Sequence, residues 1–292
     1  MTLTESTTRT IDAPGATIAY DIRPNGASEE PPLFLVGSPM AAAGFASLAH
    51  RFADRTIVTY DPRGSERSVL ADPAARIGPE DHADDLHRVI EAVGGAVDMF
   101  ASSGGAVNAL ALVAAHPDDV RTLVAHEPPL ASLVPDREHA LAACRAIHET
   151  YMRAGSNAGM AHFIAVVSHR GPFTAEVVAQ PPPDPAAFGM PRDDDGDRND
   201  AMLGKDKTIL TLTAYEPDVD ALRAAQTRIV IAAGAESEGE LANRGAHAVA
   251  ERLGQEAVVF PSDHGGFLGG EYGQTGEPEA FAARLREVLE RS

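Results

Sequence analysis

Apolar and polar positions follow two rhythms along this chain. Short continuous apolar runs occur at Leu33–Val36, Thr56–Tyr60, Val97–Phe100, Thr122–Ala125, Arg228–Ala233 and Ala257–Phe260. Their length and β-branched content are those of strands covered on both faces. Between them, apolar residues recur at helical intervals in Ala42–Phe52, Pro79–Val93, Ala106–Ala115 and Glu277–Arg291. Thr10–Tyr20 reads as a strand pair turning at Pro14-Gly15. Strands alternating with helices predict a parallel sheet with helices on both faces, the α/β class. From about 130 to 216 the strand rhythm stops and the spacing turns helical, broken by Pro181-Pro182-Pro183 and by the acidic run Asp193–Asp197. The expected organisation is a sheet domain, residues 1–129 and 217–292, interrupted by a helical insertion at 130–216.

Composition narrows the chemistry. The 292 residues carry 24 basic and 43 acidic side chains, a net charge of −19. Nucleic acids and anionic membrane surfaces require the opposite sign. Cys144 is the single cysteine, which excludes an intrachain disulfide and a four-thiolate zinc site. The polar start Met1–Thr8 lacks the apolar core of a signal peptide, and no run of about 18 apolar residues occurs. The expected location is the cytoplasm. No Gly-x-Gly-x-x-Gly follows a strand and no phosphate-binding loop is present, so no nucleotide cofactor is expected. Aspartates 193, 195 and 197 alternate as in a calcium loop. Arg198 at the sixth position and Gly204 at the twelfth break that pattern, so no metal is expected.

The residues that carry chemistry follow strands. In Phe100-Ala101-Ser102-Ser103-Gly104-Gly105, a nucleophile on a sharp strand-to-helix turn needs small residues two positions to either side. Ser103 meets this with Ala101 and Gly105, whereas Ser102 would place Phe100 there. The Gly104 N–H at the helix start would face a developing oxyanion, and the loop Val36-Gly37-Ser38-Pro39 could add the N–H of Ser38. His264, in Asp263-His264-Gly265-Gly266 after the last strand, is the candidate base that a serine hydroxyl requires.

These segments resemble the α/β-hydrolase fold family over nearly the whole chain. Asp61-Pro62-Arg63-Gly64-Ser65-Glu66-Arg67-Ser68 is similar to the family's Asp-x-Arg-Gly-x-Gly-x-Ser loop, with Glu66 in place of Gly. Val36 stands where many relatives have His, and Ala101 replaces the first Gly of the elbow. The resemblance implies an eight-stranded, mostly parallel sheet with a helical cap, here 130–216. It also implies a cofactor-independent serine hydrolase of carboxylic esters or lactones. A carbon–carbon bond hydrolase, a perhydrolase or a low-turnover small-molecule receptor would share the fold.

The triad acid has two candidate locations. Glu127, in His126-Glu127-Pro128-Pro129, resembles the arrangement of zearalenone-type lactonases, with the acid after strand six. Glu236 or Glu238 would be the commoner place, although Ser237 occupies the third position after Gly234. Glu127 is the favoured acid. Met40, Pro128, Met152, Met160 and Tyr215 are candidate apolar lining for an uncharged small-molecule substrate. A homodimer is expected on general grounds.

Overall fold

The computed structural model describes residues 6–194, 196–204 and 207–290. Asp195 of the acidic run, Lys205, Met1–Glu5 and Arg291 at the end of the last expected helix lie outside the described residues. The strands are β1 (Thr7–Ala13), β2 (Ala16–Arg23), β3 (Leu33–Val36), β4 (Ile57–Tyr60), β5 (Val69–Leu70), β6 (Val97–Ser102), β7 (Val120–His126), β8 (Arg228–Gly234) and β9 (Val258–Phe260). β1 and β2 form the hairpin expected at Pro14-Gly15, extended outward so that Thr7 pairs with Ile22. The spatial order is β1-β2-β4-β3-β6-β7-β8-β9, with β5 beside β2. From β4 to β9 along this order all neighbours are parallel. The described residues thus form nine strands rather than eight, the addition being the two-residue β5.

Strand alternation divides the core between two faces. Phe34, Val36, Met99, Ala101, Leu123, Ala125, Ile231 and Ala233 point into one cluster. Its helices are α2 (Pro79–Val93), α3 (Gly104–Ala115), α7 (Val219–Ala224) and α8 (Leu241–Leu253). Leu33, Leu35, Phe100, Val124, Val230 and Ala232 point the other way, onto α1 (Ala46–Arg51) and α9 (Pro278–Glu290). α2 starts at Pro79, which has no N–H to leave unpaired, and Asp81 Oδ2 accepts the Gly78 amide at 2.8 Å. It stops at Gly94, where φ is 102°.

Between β7 and β8 lie α4 (Arg137–Val167), α5 (Ala175–Val178) and α6 (Thr208–Thr213), with a separate apolar cluster. Ala140, Cys144, Ile147 and Tyr151 of α4 pack there on Phe173, Leu203 and Ile209. α4 is interrupted at Gly155, whose φ of 85° ends regular helix, and a Cβ there would come within 2.4 Å of Asp194 Oδ1. Asp194 in turn pairs with Arg198. Among the described residues no helix is long and apolar enough to cross a membrane.

Candidate active site

Ser103 sits between the last residue of β6 and the first of α3, with φ 58° and ψ −128°. Such a conformation costs a non-glycine residue about 1–3 kcal/mol and persists only where neighbours enforce it. Here the Ser103 amide donates to the His126 carbonyl at 2.9 Å, and its own carbonyl accepts from Ala106 at 2.9 Å. The crowding explains the two glycines that follow. A Cβ on Gly104 would lie 2.5 Å from the Ser38 carbonyl oxygen, and one on Gly105 would lie 2.6 Å from that of Val36. The loop bearing Ser38 therefore runs directly against the turn. Gly104 opens α3, so its amide has no intrahelical acceptor and sits at the positive end of the helix dipole.

Glu127 follows β7, at φ 48°, and its carboxylate is wholly buried. Its Oε1 accepts three neutral donors: the Gly234 amide at 2.9 Å, Asn243 Nδ2 at 3.2 Å and the Ser237 hydroxyl. Oε2 meets His264 Nδ1 at 2.7 Å. Burial opposes ionisation of this carboxyl, but the His264 hydrogen bond, the neighbouring imidazoles and Ser237 outweigh it and hold it well below the usual carboxylate range. Burial likewise opposes protonation of His264, and Glu127 overcomes it, raising the imidazole above its ordinary value. Glu236 and Glu238 are exposed, and among the described residues no hydrogen bond or ion pair joins either to His264. Ser237, three residues after Gly234, donates to the Glu127 carboxylate that reaches it from β7, and its hydroxyl lies 3.2 Å from the Gly234 carbonyl oxygen.

The His264 loop is tight for the same steric reason as the serine turn. A Cβ on Gly266 would lie 2.7 Å from the Pro261 carbonyl oxygen, and Asp263 Oδ1 accepts the Gly265 amide at 2.8 Å. The His264 side chain stays 38% exposed. It opens on a cavity of about 740 Å³ that Ser103, Ser38, Met40 and Met160 also line. No hydrogen bond joins Ser103 to His264 among the described residues, a common state for such pairs before substrate arrives.

Three residues expected in the lining lie elsewhere. The Pro128 backbone packs under α8, where a Cβ on Gly245 would lie 2.4 Å from its carbonyl oxygen. Met152 is on the exposed side of α4, its carbonyl accepting Arg198 Nε at 3.0 Å. Tyr215 packs against the α2–α3 core beyond Leu212, and burial pushes its phenol up to about 12. Helical periodicity marks such residues as half-buried without saying which surface they meet. The lining not anticipated from sequence includes Phe163, Asn199–Met202, Phe267, Leu268 and Tyr272.

His126 is a further residue that the sequence reading left unused. Its ring lies among Phe100, Phe260, Phe267 and Phe281, 6.0 Å from that of His264. Nδ1 is 3.4 Å from Ser102 Oγ, and burial holds its pKa down at about 4, so the ring is neutral at pH 7. Among the described residues two groups of side chains bring metal-ligand atoms within 4.8 Å of one another, His126-Glu127-His264 and His87-His116-Asp119. In the first, both Glu127 oxygens are already engaged. In the second, His87 Nδ1 is bonded to Asp119 at 2.7 Å.

A sheet of this order, with a strained serine after β6 and a buried Glu–His pair beyond β7 and β9, defines an α/β hydrolase, and the chain belongs to that family. It is 30% identical over 299 residues to YraK of Bacillus subtilis (strain 168), an uncharacterized hydrolase, across 97% of this chain and 96% of that protein. Solved structures share the fold. One is a thermophilic esterase from Thermogutta terrifontis (TM-score 0.64, 18% identity, 98% of each chain). Another is an alpha/beta hydrolase from Sphaerobacter thermophilus (0.62, 22%, 96% of this chain and all of that one). A third is carboxylesterase CesB of Bacillus subtilis (0.61, 16%, 99% and 93%). No family model matches the chain.

Proposed function

We propose that this hydrolase cleaves a carboxylic ester, lactones included, of a small and largely apolar molecule through Ser103, His264 and Glu127. The observation that carries the reading is the His264–Glu127 contact of 2.7 Å in a cavity shared with Ser103 at positive φ. In the proposed cycle Ser103 Oγ attacks the carbonyl carbon while His264 Nε2 takes its proton. The amides of Ser38 and Gly104 hold the oxyanion. Collapse of the adduct breaks the carbon–oxygen bond, and His264 returns the proton to the departing alkoxide. Water then adds to the acyl group with His264 as base, releasing the acid and restoring Ser103. With a lactone, alcohol and acid leave as one hydroxy acid. Glu127 fixes the Nδ1–H tautomer and balances the imidazolium that forms.

The segment 130–216 acts in this reading as a cap over a core of 1–129 and 217–292. Support comes from its own apolar cluster and from the way Met160, Phe163 and Met202 face Ser103 and His264 across the cavity. The acyl portion lies against these side chains and Met40. The test is intact mass after incubation with a fluorophosphonate, followed by peptide mapping, on wild type and Ser103→Ala. One adduct on Ser103, absent from the variant, is expected. A folded wild type that takes no adduct would overturn the serine mechanism.

A further inference from the structure

The cavity beside Ser103 is charged in one sense. Apart from His264, its charged lining residues are Glu66 and Asp200, and no lysine or arginine lines it among the described residues. Asp200 is committed to the chain, since its Oδ1 accepts the amides of Met202 and Leu203 at 2.9 and 2.7 Å. Glu66 has no hydrogen bond or ion pair among the described residues. The adjacent Arg67 turns instead to Asp61 and Asp21, at 2.5 and 2.8 Å. Glu66 thus presents a carboxylate without a direct partner at the exposed rim, and the arginine beside it in the adjoining cleft, Arg67, is shared between two aspartates.

Tyr272 stands on the same rim, 61% exposed. The loop that carries it is fixed by Glu271, whose carboxylate accepts the Ser47 and Gly269 amides, each at 2.6 Å. The Gly270 amide donates to the Gln274 carbonyl at 2.9 Å. The ring edge rests on Gly44, where an added Cβ would lie 3.1 Å from Cε2. Tyr272 and Glu66 are both held at positive φ, 54° and 47°. Strain of this kind survives only where the surroundings impose it. The two side chains are close enough that, after burial, the Glu66 charge is the main influence raising the Tyr272 phenol.

A carboxylate without a partner beside an exposed aromatic ring on a pinned loop is a combination that binds organic cations, by charge and by the ring quadrupole. We infer that Glu66 and Tyr272 form a subsite for a protonated amine or quaternary ammonium group of the substrate. The apolar acyl portion is left to Met40, Met160 and Phe163. The inference rests on the serine-hydrolase reading above and deepens it.

The test compares two fluorophosphonates of matched shape, one bearing a 2-(trimethylammonio)ethyl ester group and one its uncharged 3,3-dimethylbutyl isostere. The readout is the ratio of second-order labelling rates at Ser103, from which the fraction of active protein cancels. Wild type is expected to favour the cation by about tenfold or more, a ratio that falls as salt rises from low to high concentration. Glu66→Gln and Tyr272→Leu are each expected to bring it to about threefold or less. A wild-type ratio near one, or a ratio that Glu66→Gln leaves unchanged, overturns the subsite while leaving the serine mechanism standing. Failure of both probes to label Ser103 overturns the mechanism and the subsite with it.

Discussion

Two carboxylates are buried completely at opposite ends of adjacent central strands, and their surroundings differ in kind. Asp98, near the start of β6, is clamped by Arg55 at 2.7 Å and by Arg121 at 2.6 and 2.9 Å. Guanidinium groups stay protonated at any pH the fold survives, so this anion is permanently neutralised. Glu127, just beyond β7, has three neutral donors on one oxygen and a single titratable partner on the other. Its charge is solvated without being cancelled, which in the proposed cycle leaves it available to stabilise the transient imidazolium. The first arrangement ties β6 to its neighbours, and the second is the one we propose to support proton transfer.

Several substitutions would break or sharpen this contrast. The largest effect belongs to Ser103→Ala. We expect it to lower kcat for an activated ester by about 10⁴-fold with the melting temperature held or raised, since the backbone strain stays and only the hydroxyl goes. Asp98→Asn should do the reverse. Leaving two arginines without their anion should cost about 3 kcal/mol in urea unfolding, with kcat of the folded fraction unchanged. Equal losses of activity in both variants would erase the distinction between the two ends of the sheet. Ser237→Ala removes one of the three neutral donors and should lower kcat by about tenfold, the worth of one hydrogen bond to a charged group. The smallest effect is on pH dependence. In the proposed cycle His264 must be neutral to accept the serine proton, and Glu127 raises its pKa. Activity should therefore fall, as pH is lowered, at a midpoint on the alkaline side of the ordinary histidine value of about 6.5. A wild-type midpoint below that value would show that Glu127 does not act on the working imidazole.

Much of this arrangement was legible in the residues, for identifiable reasons. Strands buried on both faces read as continuous apolar runs, and the alternation of Leu33 and Leu35 against Phe34 and Val36 only divides that run between two helical layers. The serine turn was legible because small residues, Ala101 and Gly105, flank Ser103 at two positions to either side, and a Cβ at Gly105 would meet the Val36 backbone. The helix α8 was missed, although Leu241, Gly245, Val249 and Leu253 recur every four residues along it. Asn243 on that helix was out of reach, because its contact with Glu127 spans 116 residues of sequence. The lining was legible only at Met40 and Met160, for a related reason. Met160 and Met152 belong to one helix, but the break at Gly155 re-aims the chain between them, and only Met160 faces the cavity.

The most direct measurement compares kcat/KM of Glu127→Gln with that of Glu236→Gln on one activated ester, each checked for folding by thermal melting. If the buried carboxylate beside His264 carries the triad, Glu127→Gln loses activity by about several hundredfold and Glu236→Gln retains it nearly in full. Near-full activity in Glu127→Gln, with the loss falling on Glu236→Gln, would contradict the account.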